Sequence, residues 1–246
     1  MDRLIKNCTI YDGTGAPAFI GSVGITGGKL RVFRGGELPP AREVIDASGL
    51  ALVPGFLDAH SHGDLALNST YATLSKLSQG ITTQIAGQCG VSLFPAGGVG
   101  SEQYSRFVSG IAPYPDLPDD ISRLSSTKGF YDWLETLQNP ITTKSFVGHG
   151  TLRLWAMGYE NRKPDAGELQ QMQRMLRLCI REGALGLSTG QVYAPCCYAE
   201  NDEILALLRV VHEEGGCYAN HPRNEGDRVI EARAERMRLA IEADVP

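Results

Sequence analysis

From residue 50 onward the chain repeats one pattern: an apolar run of extended character, a loop, then a stretch with helical spacing. The apolar runs are 50–58, 80–87, 144–149, 184–189 and 216–221. Between and after them stand helical stripes. Leu169, Met172, Leu176 and Ile180 recur at such intervals, as do Ile204, Leu207, Leu208 and Val211, and then Ile230, Ala234, Met237 and Ile241. These read as core-facing stripes rather than cofactor contacts. Asp165 and Glu168 have the spacing of a capping box at the start of the first of these helices. A strand followed by a crossover helix returns to a parallel neighbour, so the alternation predicts an α/β fold with a parallel sheet, either closed into a barrel or doubly wound.

The first 49 residues differ. Leu4–Tyr11, Gly21–Thr26, Lys29–Phe33 and Val44–Ala47 are short extended pieces, with turns at Asp12-Gly13-Thr14-Gly15 and Gly27-Gly28. They predict a small β-rich subdomain over 1–49, ahead of a larger domain over 50–246. The stretch 92–126, rich in Gly, Pro, Ser and Asp, predicts a long surface loop near the functional face. Successive strand ends lie roughly 40 residues apart, so eight strands would need about 120 residues more. On the barrel reading, the expected fold is an incomplete (β/α) TIM-type barrel of about five strands.

Composition narrows the function. The net charge of −5 carries no dominant basic patch, which argues against a nucleic-acid partner. No apolar run approaches a membrane span, and the first residues lack the apolar stretch of a signal peptide. Six cysteines at irregular spacing suit free thiols in a reducing, cytoplasmic setting better than a disulfide framework.

Four strand ends carry metal-binding residue types. His60 and His62 follow the first run, and at i and i+2 on a strand they point to one side. Cys89 follows the second, His149 the third and His221 the fifth. The carboxyl ends of parallel strands line the functional face, so these residues converge on one rim. Each also has a plainer reading: a solvent-facing histidine pair, a small buried thiol, a loop cap. His149 reads as a hydrogen-bonding residue behind the metal rather than a ligand. His212, inside a helix beside Glu213, reads as surface; Cys8, Cys179 and Cys217 read as packing residues, and the vicinal Cys196-Cys197 pair has no assigned role.

Val53-Pro54-Gly55-Phe56-Leu57-Asp58-Ala59-His60-Ser61-His62 resembles the metal motif of the amidohydrolase superfamily. Finer pieces resemble its D-aminoacylase (N-acyl-D-amino-acid deacylase) branch. They are Gly87-Gln88-Cys89-Gly90-Val91-Ser92, Gly148-His149-Gly150-Thr151-Leu152-Arg153, Gly183 to Gly190, and His221 to Asp227. The cysteine piece discriminates best, since most binuclear relatives bridge their metals with a carbamylated lysine where this branch uses a thiolate. The resemblance implies zinc: one tight position held by Cys89 and His221, and a second, weaker one held by His60 and His62 with Cys89 bridging. It implies that Tyr193 helps hold the carboxylate of an N-acyl-D-amino acid, which is hydrolysed to a carboxylate and a D-amino acid. The family's catalytic aspartate, a further zinc histidine and a basic carboxylate-binding residue follow later strands and have no counterpart here. The expectation is therefore the N-terminal part of a longer deacylase, with little activity alone and a tendency to self-associate. Two alternatives stand beside it. One is a cyclic amidase of the dihydroorotase or hydantoinase type, against which Cys89 argues. The other is a non-catalytic remnant, or a subunit complemented by a separate C-terminal chain.

Overall fold

The computed structural model describes residues 1–112 and 115–246. They divide into two compact units, Met1–Phe56 and Leu57–Pro246.

The first unit is a five-stranded sheet of β1 (Arg3–Ile10), β2 (Phe19–Thr26), β3 (Lys29–Phe33), β4 (Glu43–Asp46) and β5 (Ala51–Leu52). The order is β3-β2-β1-β4, with β5 also on β1. β1 and β2 are antiparallel, as are β2 and β3, while β4 and β5 run parallel to β1. Gly27 and Gly28 join β2 to β3 with φ of 55° and 74°. Positive φ at both positions is what a two-residue hairpin turn demands, and glycine supplies it without strain. Cys8, Ile10, Val23 and Ala47 form its small core.

The predicted strand 50–58 is broken in two. β5 pairs in the first unit, and β6 (Phe56–Asp58) follows after Val53-Pro54-Gly55. Pro54 has no N–H to give to a ladder, which interrupts the pairing there.

The second unit continues with α1 (Thr70–Leu77), β7 (Ile81–Ala86), α2 (Tyr104–Ser109), α3 (Thr127–Leu137), β8 (Thr142–Ser145), β9 (Val147–Gly148), α4 (His149–Met157), α5 (Ala166–Arg181), β10 (Gly186–Gly190), α6 (Asn201–Glu213), β11 (Cys217–His221) and α7 (Val229–Glu242). Two strand orders result, β6-β7-β8 and β11-β10-β9. β7–β8, β9–β10 and β10–β11 are parallel. Phe146 separates β8 from β9. Its N–H donates to Ala86 O at 3.1 Å, and Leu185 N–H donates to Ser145 O at 2.9 Å. Segment 142–148 thus lies between β7 and β10, linking the two orders into one run of neighbours.

The predicted helices form, with shifted details. α5 starts at Asp165, whose side chain accepts from the Glu168 N–H at 2.8 Å while Glu168 accepts from the Asp165 N–H at 2.8 Å, the reciprocal capping box. Met172 and Leu176 on α5, and Ile204, Leu207, Leu208 and Val211 on α6, are buried in the main core.

Three expectations are corrected. His149 opens α4 rather than closing a strand. The stretch 92–126, apart from Pro113 and Tyr114, which lie outside the described residues, is not a surface loop. Leu93, Phe94, Tyr104, Val108 and Leu124 are buried in the main core, and α2 forms within it. Its apolar residues fall at no regular period, so the pattern hides its packing. Finally, α7 leaves Ile230, Met237 and Ile241 exposed at 77%, 63% and 75%, and buries Ala232, Arg236 and Leu239. A polar network turns it: the Arg236 guanidinium donates to Asn201 Oδ1 at 2.6 Å, and Asn201 Nδ2 donates to Glu235 at 3.0 Å.

Candidate metal centre

The loop after β6 is held from below. Asp58 accepts from Lys76 Nζ on α1 at 2.6 Å, and Lys76 also donates to Ser61 Oγ at 2.9 Å. The Ser61 hydroxyl donates to Gln84 Oε1 at 3.2 Å, and Gln84 Nε2 donates to Thr143 Oγ1 at 2.9 Å. Asp58 Oδ1 accepts the His60 N–H at 3.3 Å. This network turns Ser61 inward and leaves His60 and His62 on the open side, with His60 exposed and His62 half-buried.

Cys89 sits in a tight turn after β7. Its φ is +56°, in the left-handed region that costs a residue with a Cβ, between Gly87 at +67° and Gly90 at +74°. The turn is pinned on three sides. Gln88 Nε2 donates to Ala59 O at 3.2 Å, Gly90 N–H donates to Ser188 Oγ at 3.1 Å, and Gly90 O accepts from Gly150 N–H at 2.8 Å. A Cβ added to Gly190 would lie 2.0 Å from Cys89 O, so β10 approaches the turn as closely as glycine permits.

The thiol stands between two imidazoles. Cys89 Sγ is 3.3 Å from His60 Nε2 and 3.4 Å from His221 Nδ1, the latter at the end of β11. The donor atoms of His60, His62 and Cys89 all lie within 4.8 Å of one another. His221 joins them through Cys89 alone. Its other nitrogen, Nε2, is 3.3 Å from Glu225 Oε2. A carboxylate at the far nitrogen fixes an imidazole's orientation and raises its basicity as a ligand.

This donor set fits a metal ion. A sulfur and a nitrogen sharing one tetrahedral ion at ordinary bond lengths stand about 3.5 Å apart, and both Cys89–histidine separations match. The Nδ1 of His62 is buried with no hydrogen-bond partner, a cost a bound ion could remove. Burial, with the neighbouring His60 and His221, lowers the His62 pKa and keeps its imidazole neutral, as a ligand must be. Burial pushes the Cys89 thiol up, and Glu225 and Cys196 push the same way. Without a metal Cys89 is therefore a thiol, and ligation must displace its proton.

Tyr193, 36% exposed, lies beside this cluster with its ring centroid 5.1 Å from that of His221. His149 stands apart from the donors. Fully buried, its Nε2 pairs with Glu203 Oε1 at 2.8 Å, and Glu203 also pairs with the buried Arg153. α4 reaches the cluster through its backbone, by the bond from Gly150 to Gly90. Two supporting side chains were not singled out by sequence reading, Glu225 and Lys76. The four-residue step from His221 to Glu225 was a usable signal; nothing in the local sequence marks Lys76.

Residues 43–215 match the profile described as the amidohydrolase family. The N-acyl-D-aspartate deacylase of Alcaligenes xylosoxydans xylosoxydans is 36% identical over 99% of this chain and 47% of its own length. The N-acyl-D-glutamate deacylase of the same organism is 35% identical over 93% of this chain and 45% of its own length. The crystal structure of N-acyl-D-glutamate deacylase from Bordetella bronchiseptica, complexed with zinc and a phosphonate inhibitor, superimposes with a TM-score of 0.83 at 32% identity, covering 99% of this chain and 50% of that one. The chain thus spans about half the length of the curated relatives it matches.

Proposed function

This chain belongs to the amidohydrolase family, and we propose that it is the metal-holding part of a deacylase that hydrolyses N-acyl-D-amino acids to a carboxylate and a D-amino acid. The observation that carries this reading is Cys89, a thiol between His60 and His221 in a chain whose relatives include two D-amino-acid deacylases. We read the run of parallel strands as about five strands of a TIM-type barrel, with the donors at its carboxyl rim.

Zinc is the metal we assign, because thiolate with imidazole suits it. Cys89 and His221 would hold the tight position, and His60 and His62 together with Cys89 would hold a weaker second one. Bound there, zinc supplies Lewis acidity, polarising the scissile amide carbonyl and lowering the pKa of water. The chain's own residues do the positioning. Glu225 orients His221, the Asp58–Lys76–Ser61 network orients the His60 turn, and Tyr193 holds the substrate carboxylate. His149 acts one step back, anchoring α4 beneath the Cys89 turn. We assign no proton-transferring residue; by the family resemblance that role belongs to an aspartate after a later strand, in the half of the relatives this chain does not span. A complementing chain or a second copy is the partner this reading asks for. A thiolate ligand needs reducing surroundings, so the cytoplasm is the proposed setting. No helix among the described residues is long and apolar enough to cross a membrane.

The test is zinc stoichiometry on the purified chain beside Cys89→Ser. The wild type is expected to retain about one equivalent through dialysis, and to bind N-acetyl-D-amino acids in preference to their L enantiomers. Cys89→Ser should lose the zinc while keeping its circular dichroism. Zinc retained by a folded Cys89→Ser protein would sink the reading.

A further inference from the structure

We propose that Cys196 is a positioning residue: it fastens the Tyr193 loop to the Cys89 turn, and so fixes the separation between the carboxylate anchor and the metal. The proposal rests on the deacylase reading of Cys89 and Tyr193, and it gives the vicinal Cys196-Cys197 pair a role.

The loop from Gly190 to Ala199 leaves the Cys89 turn and comes back to it. At its start a Cβ on Gly190 would stand 2.0 Å from the Cys89 carbonyl oxygen. At its return the Cys196 thiol lies between two glycines. A Cβ on Gly90 would stand 2.7 Å from Cys196 Sγ, and one on Gly150 would stand 2.8 Å from it. Gly90 follows Cys89, and Gly150 is the residue of α4 whose N–H donates to Gly90 O at 2.8 Å. The sulfur therefore fills space that neither glycine has a side chain to fill, beside the bond that pins the turn to α4. Cys196 is buried and makes no disulfide.

Tyr193 stands between these two contacts. Its N–H donates to Gly190 O at 2.9 Å, and its carbonyl accepts the Cys197 N–H at 2.9 Å. Its backbone is thus tied to the start of the loop on one side and to the residue after Cys196 on the other. The ring leans over Gly190, with Cδ2 3.1 Å from where a Cβ would be, and meets the His221 ring edge-on. Cys196 also stands beside His149, which Glu203 of α6 holds at 2.8 Å. The thiol therefore packs against a wall that is itself fixed. A side chain in close contact with fixed backbone transmits displacement rather than absorbing it. Removing Sγ opens a gap into which the loop can relax. Tyr193 then shifts against Cys89, while the turn keeps its bonds through Gln88, Ser188 and Gly150.

Calorimetric titration of the zinc-loaded full chain with two probes tests this. N-acetyl-D-alanine spans both points, its carboxylate at Tyr193 and its amide carbonyl at the metal. Acetohydroxamate has no carboxylate and engages the metal alone. Cys196→Ala is expected to weaken N-acetyl-D-alanine about tenfold, with acetohydroxamate affinity and zinc stoichiometry unchanged. Cys196→Ser, close to cysteine in size, should restore most of the lost affinity. In a Tyr193→Phe background Cys196→Ala should cost nothing further, because the thiol acts through Tyr193. Unchanged N-acetyl-D-alanine affinity in Cys196→Ala, equal weakening of both probes, or full additivity with Tyr193→Phe would overturn the proposal and leave the deacylase reading standing. Failure of N-acetyl-D-alanine to bind the wild type would overturn the deacylase reading, and this proposal with it.

Discussion

Gly190 and Cys89 constrain each other through bare backbone. A methyl group at residue 190 would stand 2.0 Å from the Cys89 carbonyl oxygen, and that oxygen belongs to a turn pinned on three sides. Gly190→Ala is therefore expected to cost about 2–3 kcal/mol of stability by overpacking, and to weaken zinc retention by moving the thiol. A thermal melt and a chelator competition read the two effects; an unchanged melt with unchanged affinity would show that β10 can yield. The residues that the fold brings together were legible in the sequence, since His60, His62, Cys89 and His221 each follow or end a recognisable apolar run. What holds them was not. Lys76 reaches Asp58 from a helix 18 positions on, and the Gly190 constraint exists only once two strands lie side by side.

α4 and α6 meet through a buried charged group that responds to pH. Burial draws the His149 pKa down, but nearby Cys196 and the hydrogen-bonded carboxylate of Glu203 outweigh it and raise it from 6.5 to about 9. Glu203 moves the other way: burial raises it, and His149 and Arg153 more than compensate, leaving it below 4.5. The His149 contribution is full below its unfolded value of 6.5 and is lost as pH climbs through 9. That of Glu203 is full above 4.5 and is lost as pH falls through its depressed value. Thermal stability should peak between these limits and fall by several degrees toward pH 9.5. His149→Gln should flatten the alkaline limb; an unaltered alkaline slope in that variant would assign it to another group. The helices also show where periodicity misleads. On α5 and α6 the apolar stripe is the packed face. On α7 the stripe faces outward, because Asn201, Glu235 and Arg236 make a polar contact that no hydrophobic count anticipates. The reverse holds for 92–126, whose buried residues lack any period.

The run of strands from β6 to β11 has two ends, and both leave apolar surface uncovered. Phe56 and Leu57 on β6 are 55% and 56% exposed, and beyond β11 the outward stripe of α7 adds three large side chains. Apolar area of this kind promotes association. Sedimentation at tens of micromolar is expected to show dimers or larger species. Met237→Glu with Ile241→Lys should shift them toward monomer without lowering the melt. A wild type that stays monomeric throughout that range would show the stripe to be tolerated as it stands.

The contact between Cys89 and His221 spans 132 positions of chain. An ion shared by those two side chains is a clasp, closing a ring that runs through nearly all of the second unit's core. Such a ring closes in the folded protein and opens when the protein unfolds, so the energy of binding becomes energy of folding. Each tenfold rise in free zinc above the dissociation constant then adds about 1.4 kcal/mol to stability. A melting temperature that climbs with the free concentration of the ion, and falls back when a chelator is added, is what such a clasp would look like from outside.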